Sequence, residues 1–166
     1  LLFNGIGKIS GVESSFNGKQ TADKKMNVVI KTTPSKYLSG QIRDYTKIDI
    51  SGNTAMMLHL DYDSINRIGR GSAKVDLTDS AIDLPMFNCA KIPGENGEVD
   101  ASFNFKSSSV QKIEIKEATI GTLQGRGVFE VASDLSISNA MVTDFKSPGY
   151  DIDKLVINTN DDKTIE

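Results

Sequence analysis

The side chains most often used for proton transfer and metal binding are scarce in this chain. It has one histidine, His59, and one cysteine, Cys89, in 166 residues. His59 sits on the polar phase of an alternating run between Leu58 and Leu60, which reads as a solvent-facing strand position rather than a general base. Cys89 lies between Asn88 and Ala90 with no histidine near it in sequence, and reads as a small half-buried hydrophobe. A lone cysteine can form neither an internal disulfide nor a thiolate metal cage.

Carboxylates are plentiful, but their spacing matches no known device. Asp61-x-Asp63 begins like a calcium loop, which then needs an oxygen ligand at position five, glycine at six and glutamate at twelve. Those positions hold Ile65, Asn66 and Ser72, so solvated turn carboxylates are expected instead. Gly69-Arg70-Gly71 and Gly125-Arg126-Gly127 have neither the strand–loop–helix context nor the Lys-Ser/Thr ending of a phosphate loop. Glycine in a curving strand, or close backbone approach, is the better reading. No catalytic residue, metal site or cofactor is expected.

Composition narrows the class further. Basic residues number 19 and acidic residues 22, for a net charge of −3, with the signs interspersed. This is not the clustered basic stripe of a nucleic-acid binder. The hydrophobic set is 38% of the chain, enough for a core and against native disorder. No apolar run approaches the ~20 residues of a spanning helix. Leu1-Leu2-Phe3 lacks the basic flank of a signal peptide, and the chain reads as one β-domain over 1–166, a fragment of something longer and repetitive.

The elements are expected to be strands. Isoleucine outnumbers leucine 17 to 10, a usage that favours sheets. Val99, Ala101, Phe103 and Phe105 alternate without error against Asp100, Ser102 and Asn104. The same period of two runs through Met26/Val28/Ile30, Met56/Leu58/Leu60/Tyr62, Ala73/Val75/Leu77, Ile113/Ile115, Phe129/Val131 and Leu135/Ile137. Asn17-Gly18 and Asn96-Gly97 suit tight hairpins. Ser10-Gly11, Ser39-Gly40, Ser51-Gly52 and Pro148-Gly149 mark bends. The apolar phase flips at Asp79-Ser80 and again near Glu117, as a bulge or corner would cause. Leu38, Ile42 and Tyr45 after Pro34 predict one short helix over Ser35–Thr46, and Asn158–Glu166 reads as a frayed end. The expected fold is an all-β antiparallel meander curled into an open groove or half-barrel, with a β-sandwich as the alternative.

One stretch carries more specific information. Asp76-Leu77-Thr78 ends a strand, Ala81-Ile82-Asp83-Leu84-Pro85 follows, and Lys91-Ile92-Pro93-Gly94 opens the strand Val99–Phe105. Asn88-Cys89 is an addition to that pattern. Upstream, Ser51-Gly52 leads into Met56–Leu60, and downstream Gly125-Arg126-Gly127-Val128-Phe129 opens another strand. This succession resembles the AsmA-like proteins of the bacterial cell envelope, the group that includes the YhdP and TamB types. The resemblance implies a long β-taco-like groove with an apolar inner face. It implies a periplasmic location, anchored to the inner membrane through a segment outside this chain. It also implies a role in phospholipid transport or outer-membrane assembly.

An alternating sheet has one apolar face, and that face needs a cover. In a sandwich a second sheet supplies it; in a groove, acyl chains do, at ~0.8 kcal/mol per buried CH₂. The lining expected for a groove is Met56, Leu58, Leu60, Val75, Leu77, Val99, Phe103, Phe105, Ile113, Ile115, Phe129 and Val131. The expected partners are a phospholipid or other acyl-chain lipid and adjacent segments of the same full-length chain, with no nucleic acid. The alternative function is a structural or adhesion sandwich that binds a protein through loops such as Ile65–Ser72 or Asn88–Asn96.

Overall fold

In a computed structural model, the described residues are 1–9, 11–33, 49–85, 89–107, 109–132 and 136–158. They form thirteen strands: β1 (Leu2–Ile9), β2 (Val12–Gln20), β3 (Lys25–Thr32), β4 (Asp49–Gly52), β5 (Ala55–Asp63), β6 (Ile68–Asp76), β7 (Ser80–Leu84), β8 (Cys89–Lys91), β9 (Gly97–Lys106), β10 (Ser109–Ile120), β11 (Leu123–Val131), β12 (Ile137–Ser147) and β13 (Tyr150–Asn158). The predicted helix over Ser35–Thr46, the Ser39-Gly40 bend, Leu135 and most of the Asn158–Glu166 end lie outside the described residues.

Ten strands make one antiparallel sheet in the order β1-β2-β3-β5-β6-β9-β10-β11-β12-β13. Its end strands, β1 and β13, do not pair with each other, so the sheet stays open. The expected open all-β meander is what the structure contains. The meander is interrupted twice, and the interrupting strands form a second sheet, β4-β7-β8.

The two predicted phase flips mark different devices. At Asp79-Ser80 the chain has left the large sheet after Asp76 and enters the small one at Ser80. At Glu117 the register against β11 slips between Ile115 and Ala118. That bulge returns Ala118 to the face of Ile115 and adds local twist.

Two predicted hairpins are corrected. Asn17 and Gly18 lie inside β2, paired with Asn4 and Phe3. A Cβ on Gly18 would stand 2.2 Å from the Phe3 ring, so this glycine makes room for an aromatic instead of a turn. Asn96-Gly97 lies where the chain passes from β8 in the small sheet to β9 in the large one, and the positive φ there (91°) belongs to Gly94.

The fully buried apolar cluster is small and lies at one end. Ile50, Leu77, Ile82, Leu84, Cys89 and Leu123 form it, with Val75, Val99, Ile120 and Phe145 packed against it. The small sheet therefore covers the end of the large one where β6 finishes and β9 begins.

Candidate functional site: the apolar face and its sealed corner

Partners across antiparallel strands share a face, so register shows what each row of the large sheet presents. One row runs Val28, Leu60, Gly71, Phe103, Ile113, Phe129, Ala140. The next runs Ile30, Leu58, Ala73, Ala101, Ile115, Gly127, Val142. A third joins Met56, Val75, Val99 and Ala118, and a fourth joins Met26, Tyr62, Gly69, Phe105 and Val110. The rows are almost wholly apolar.

Eleven of the twelve expected lining residues belong to this face: ten stand in these rows, and Val131 follows Phe129 at the strand period. None of the eleven is fully buried. Leu77 is different. It lies one residue beyond β6, is 5% exposed, and packs in the corner cluster. The protein itself covers it, so it is not an open-face residue.

Aromatic rings and glycines fit together across this face. Gly69 pairs with Phe105 and Gly71 with Phe103, and a Cβ on either glycine would come 2.3 Å from the opposing ring. Phe105 also stacks on Tyr62 with ring centroids 5.8 Å apart. The rings lie over bare backbone, so the group nearest to a Cβ at Gly69 or Gly71 is an aromatic side chain, where the sequence suggested a curving strand or a close backbone approach. A cleft of ≈ 710 Å³ opens at the β6 end of the face. It takes in Met56 and Val75, along with Ser14, Thr32 and Gly97, but none of the other expected residues.

The opposite face is mixed: mostly polar from β2 to β10, with Val29 and Met57 among its polar side chains, and apolar at Val128, Met141 and Val156 on β11, β12 and β13. His59 is exposed there, between Val29 and Ser72. Asp61 accepts hydrogen bonds from Asn27 (2.7 Å) and Arg70 (3.2 Å), and these two contacts, Asn27 first, hold its carboxyl below the usual range. Asp63 caps the β5–β6 turn by accepting from the Ile65 and Asn66 amides and the Asn66 side chain, and the Asn66 contacts lower it most. Both carboxylates of the calcium-like motif are thus engaged in the sheet and its turn. Among the described residues, no group of three His, Cys, Asp or Glu side chains could hold a metal ion. No helix among them is long and apolar enough to cross a membrane.

Sequence reasoning missed Lys91. Its side chain is buried at 1% exposure, and Nζ donates to the carbonyls of Thr78 (3.0 Å), Ser80 (2.9 Å) and Ile92 (3.2 Å). Gly97 gives it passage, since a Cβ there would stand 2.5 Å from Lys91 Cε. The Gly94 amide also donates to Thr78 O. The three motif elements Asp76–Thr78, Ala81–Pro85 and Lys91–Gly94 are therefore held together as one corner.

Comparison of the chain with protein-family models, with curated proteins and with solved structures found no match.

Proposed function

We propose that this domain is a non-catalytic, lipid-binding and lipid-conducting groove of an AsmA-like envelope protein, acting in phospholipid transport or outer-membrane assembly in the periplasm. The observation that carries the reading is the contrast within the apolar face. Eleven aligned side chains stay half-buried, while the small sheet fully buries only Leu77 of the twelve. An aliphatic and phenyl surface of this kind offers acyl chains burial without fixed polar partners, which suits a guest that slides.

In this reading the inner-membrane anchor lies in another segment of the full-length protein. Adjacent segments of that protein continue the sheet beyond β1 and β13. Exposed Leu2 (77%) and Ile6 (81%) on β1, and Tyr150 (58%) on β13, favour such neighbours, because open sheet edges with bare apolar side chains invite further strands. The alternative of a sandwich that binds a protein through loops is favoured only by the sealed corner.

The test is mass spectrometry of organic extracts from protein purified without detergent out of a bacterial host. Bound phospholipid near equimolar amounts is expected. Lipid-free protein with no uptake from added phospholipid would overturn the reading.

A further inference from the structure

Three connections at one end of the large sheet stand side by side: Thr21–Lys24 between β2 and β3, Ser64–Arg67 between β5 and β6, and the turn at Ser107 after β9. They are tied to one another. The Ser64 amide and hydroxyl both donate to Lys24 O (3.3 and 2.7 Å), and the Ser107 amide donates to Arg67 O (2.7 Å). Lys24, Arg67 and Ser107 all have positive φ (61°, 55° and 49°), so each tip turns back sharply at its tie. With strands ~4.8 Å apart, the tips from β3 to β10 form a continuous rim about 20 Å long.

This rim has its own charge and its own apolar point. Residues 19–25, 61–70 and 106–107 hold six cations against three carboxylates, in a chain whose net charge is −3. Asp23 is paired with Lys25 (2.9 Å), Asp61 with Arg70 (3.2 Å), and Asp63 is spent on its turn. Lys19, Lys24, Arg67 and Lys106 are exposed and make no ion pair among the described residues. Between them stand Ile65, 66% exposed at the apex of the middle tip, and Ile68, 47% exposed. The far end of the sheet is acidic by contrast, with Glu13, Asp76, Asp79, Asp83, Glu95 and Glu98 exposed.

We infer that this rim docks on an anionic lipid bilayer, with Lys24, Arg67 and Lys106 among the headgroups and Ile65 entering the interface. Unpaired cations around an aliphatic apex match a charged surface above a greasy interior. A nucleic acid would use the cations and leave the isoleucines in water. The acidic far end is repelled by the same surface and points the strands away from it. The rim is separate from the apolar face and stands whether or not that face holds lipid.

Vesicle co-sedimentation of the 166-residue chain tests this. Binding to vesicles of phosphatidylcholine with about one third phosphatidylglycerol should exceed binding to pure phosphatidylcholine by at least ~10-fold and fade as salt shortens the Debye length. Combined Lys24→Glu, Arg67→Glu and Lys106→Glu should weaken it by ~100-fold or more, at roughly 5-fold or more per charge. Lys116→Glu with Lys146→Glu, in the halves of β10 and β12 away from the rim, should leave it unchanged. Because a triple variant can fail to fold, Ile65→Trp gives a second readout: its emission should shift to the blue and be quenched by brominated lipid on anionic vesicles, while Ile92→Trp should stay in water. Equal binding to neutral vesicles, no binding at low salt, a silent Ile65→Trp, or displacement by duplex DNA at matched charge would overturn the inference.

Discussion

Lys91 shows how much one side chain can hold at the residue scale. Its Nζ is the shared donor for three backbone carbonyls inside a corner, and a buried carbonyl left without a donor costs about 1–3 kcal/mol. Lys91→Met keeps most of the volume and removes the donor, so it should lower stability by roughly 2–4 kcal/mol. Urea unfolding followed by circular dichroism reads this as a shift of midpoint; a shift within error would mean water replaces the ammonium without cost. Gly71→Ala is the steric counterpart. Its new Cβ would meet Phe103 at 2.3 Å, and overpacking of this kind costs about 1–3 kcal/mol. Neither residue announces its role in sequence. A lysine is ordinarily exposed, and only the return of β8 beside the Asp76–Ser80 corner buries this one. The glycines of β6 were read as curvature or close backbone approach, and the sequence did not show that the nearest group is a ring, Phe103 or Phe105, brought in by β9.

Among elements, legibility followed burial. Runs such as Val99–Phe105 and Met56–Tyr62 have one wet and one apolar side, and their period of two gave away both strand and face. The edge strands did not, because β1 carries Leu2 and Ile6 opposite Phe3 and so has no polar phase. Turns were read from glycine, and this misplaced Asn17-Gly18. The chain instead reverses with Lys24 in the left-handed region, a choice set by the ties between neighbouring tips and not by side-chain preference. The Thr21–Lys25 tip also makes a pH prediction. Asp23 is held at about 2, from an ordinary 3.8, first by the Thr21 hydroxyl and then by Lys25. A folded value depressed in this way contributes stability above the unfolded value and loses it as pH falls through the folded one. The tip should therefore loosen as pH drops from 3.8 towards 2. Protection of the Lys24 and Lys25 amides, taken against the intrinsic exchange rate at each pH, should fall over that window, and Asp23→Asn should show the lower protection already at neutral pH. Protection that is flat down to pH 2, in a chain still folded, would show that the carboxylate does not hold the turn.

For the whole molecule, what matters is that one apolar face is covered to different degrees along its length. At the corner, Leu77 is sealed among Ile50, Ile82, Leu84 and Leu123, and its methyl groups contribute to folding. Over the middle, Leu60 stands in a row with Val28 and Phe103 and keeps partial contact with solvent. The two leucines looked alike in sequence, since both fall on the apolar phase, and only the non-local return of β7 and β8 separates them. That separation makes the lipid reading testable by a pair of substitutions. Leu77→Ala empties a packed site and should cost about 2–5 kcal/mol in urea unfolding while leaving bound phospholipid per folded protein unchanged. Leu60→Asp places a charge where a guest chain would lie and should abolish lipid binding with a smaller effect on folding, because an open position lets the carboxylate reach water. If the costs instead run the other way, with Leu60→Asp unfolding the chain and Leu77→Ala tolerated, the middle of the face is the true core and the sheet is covered from above by protein.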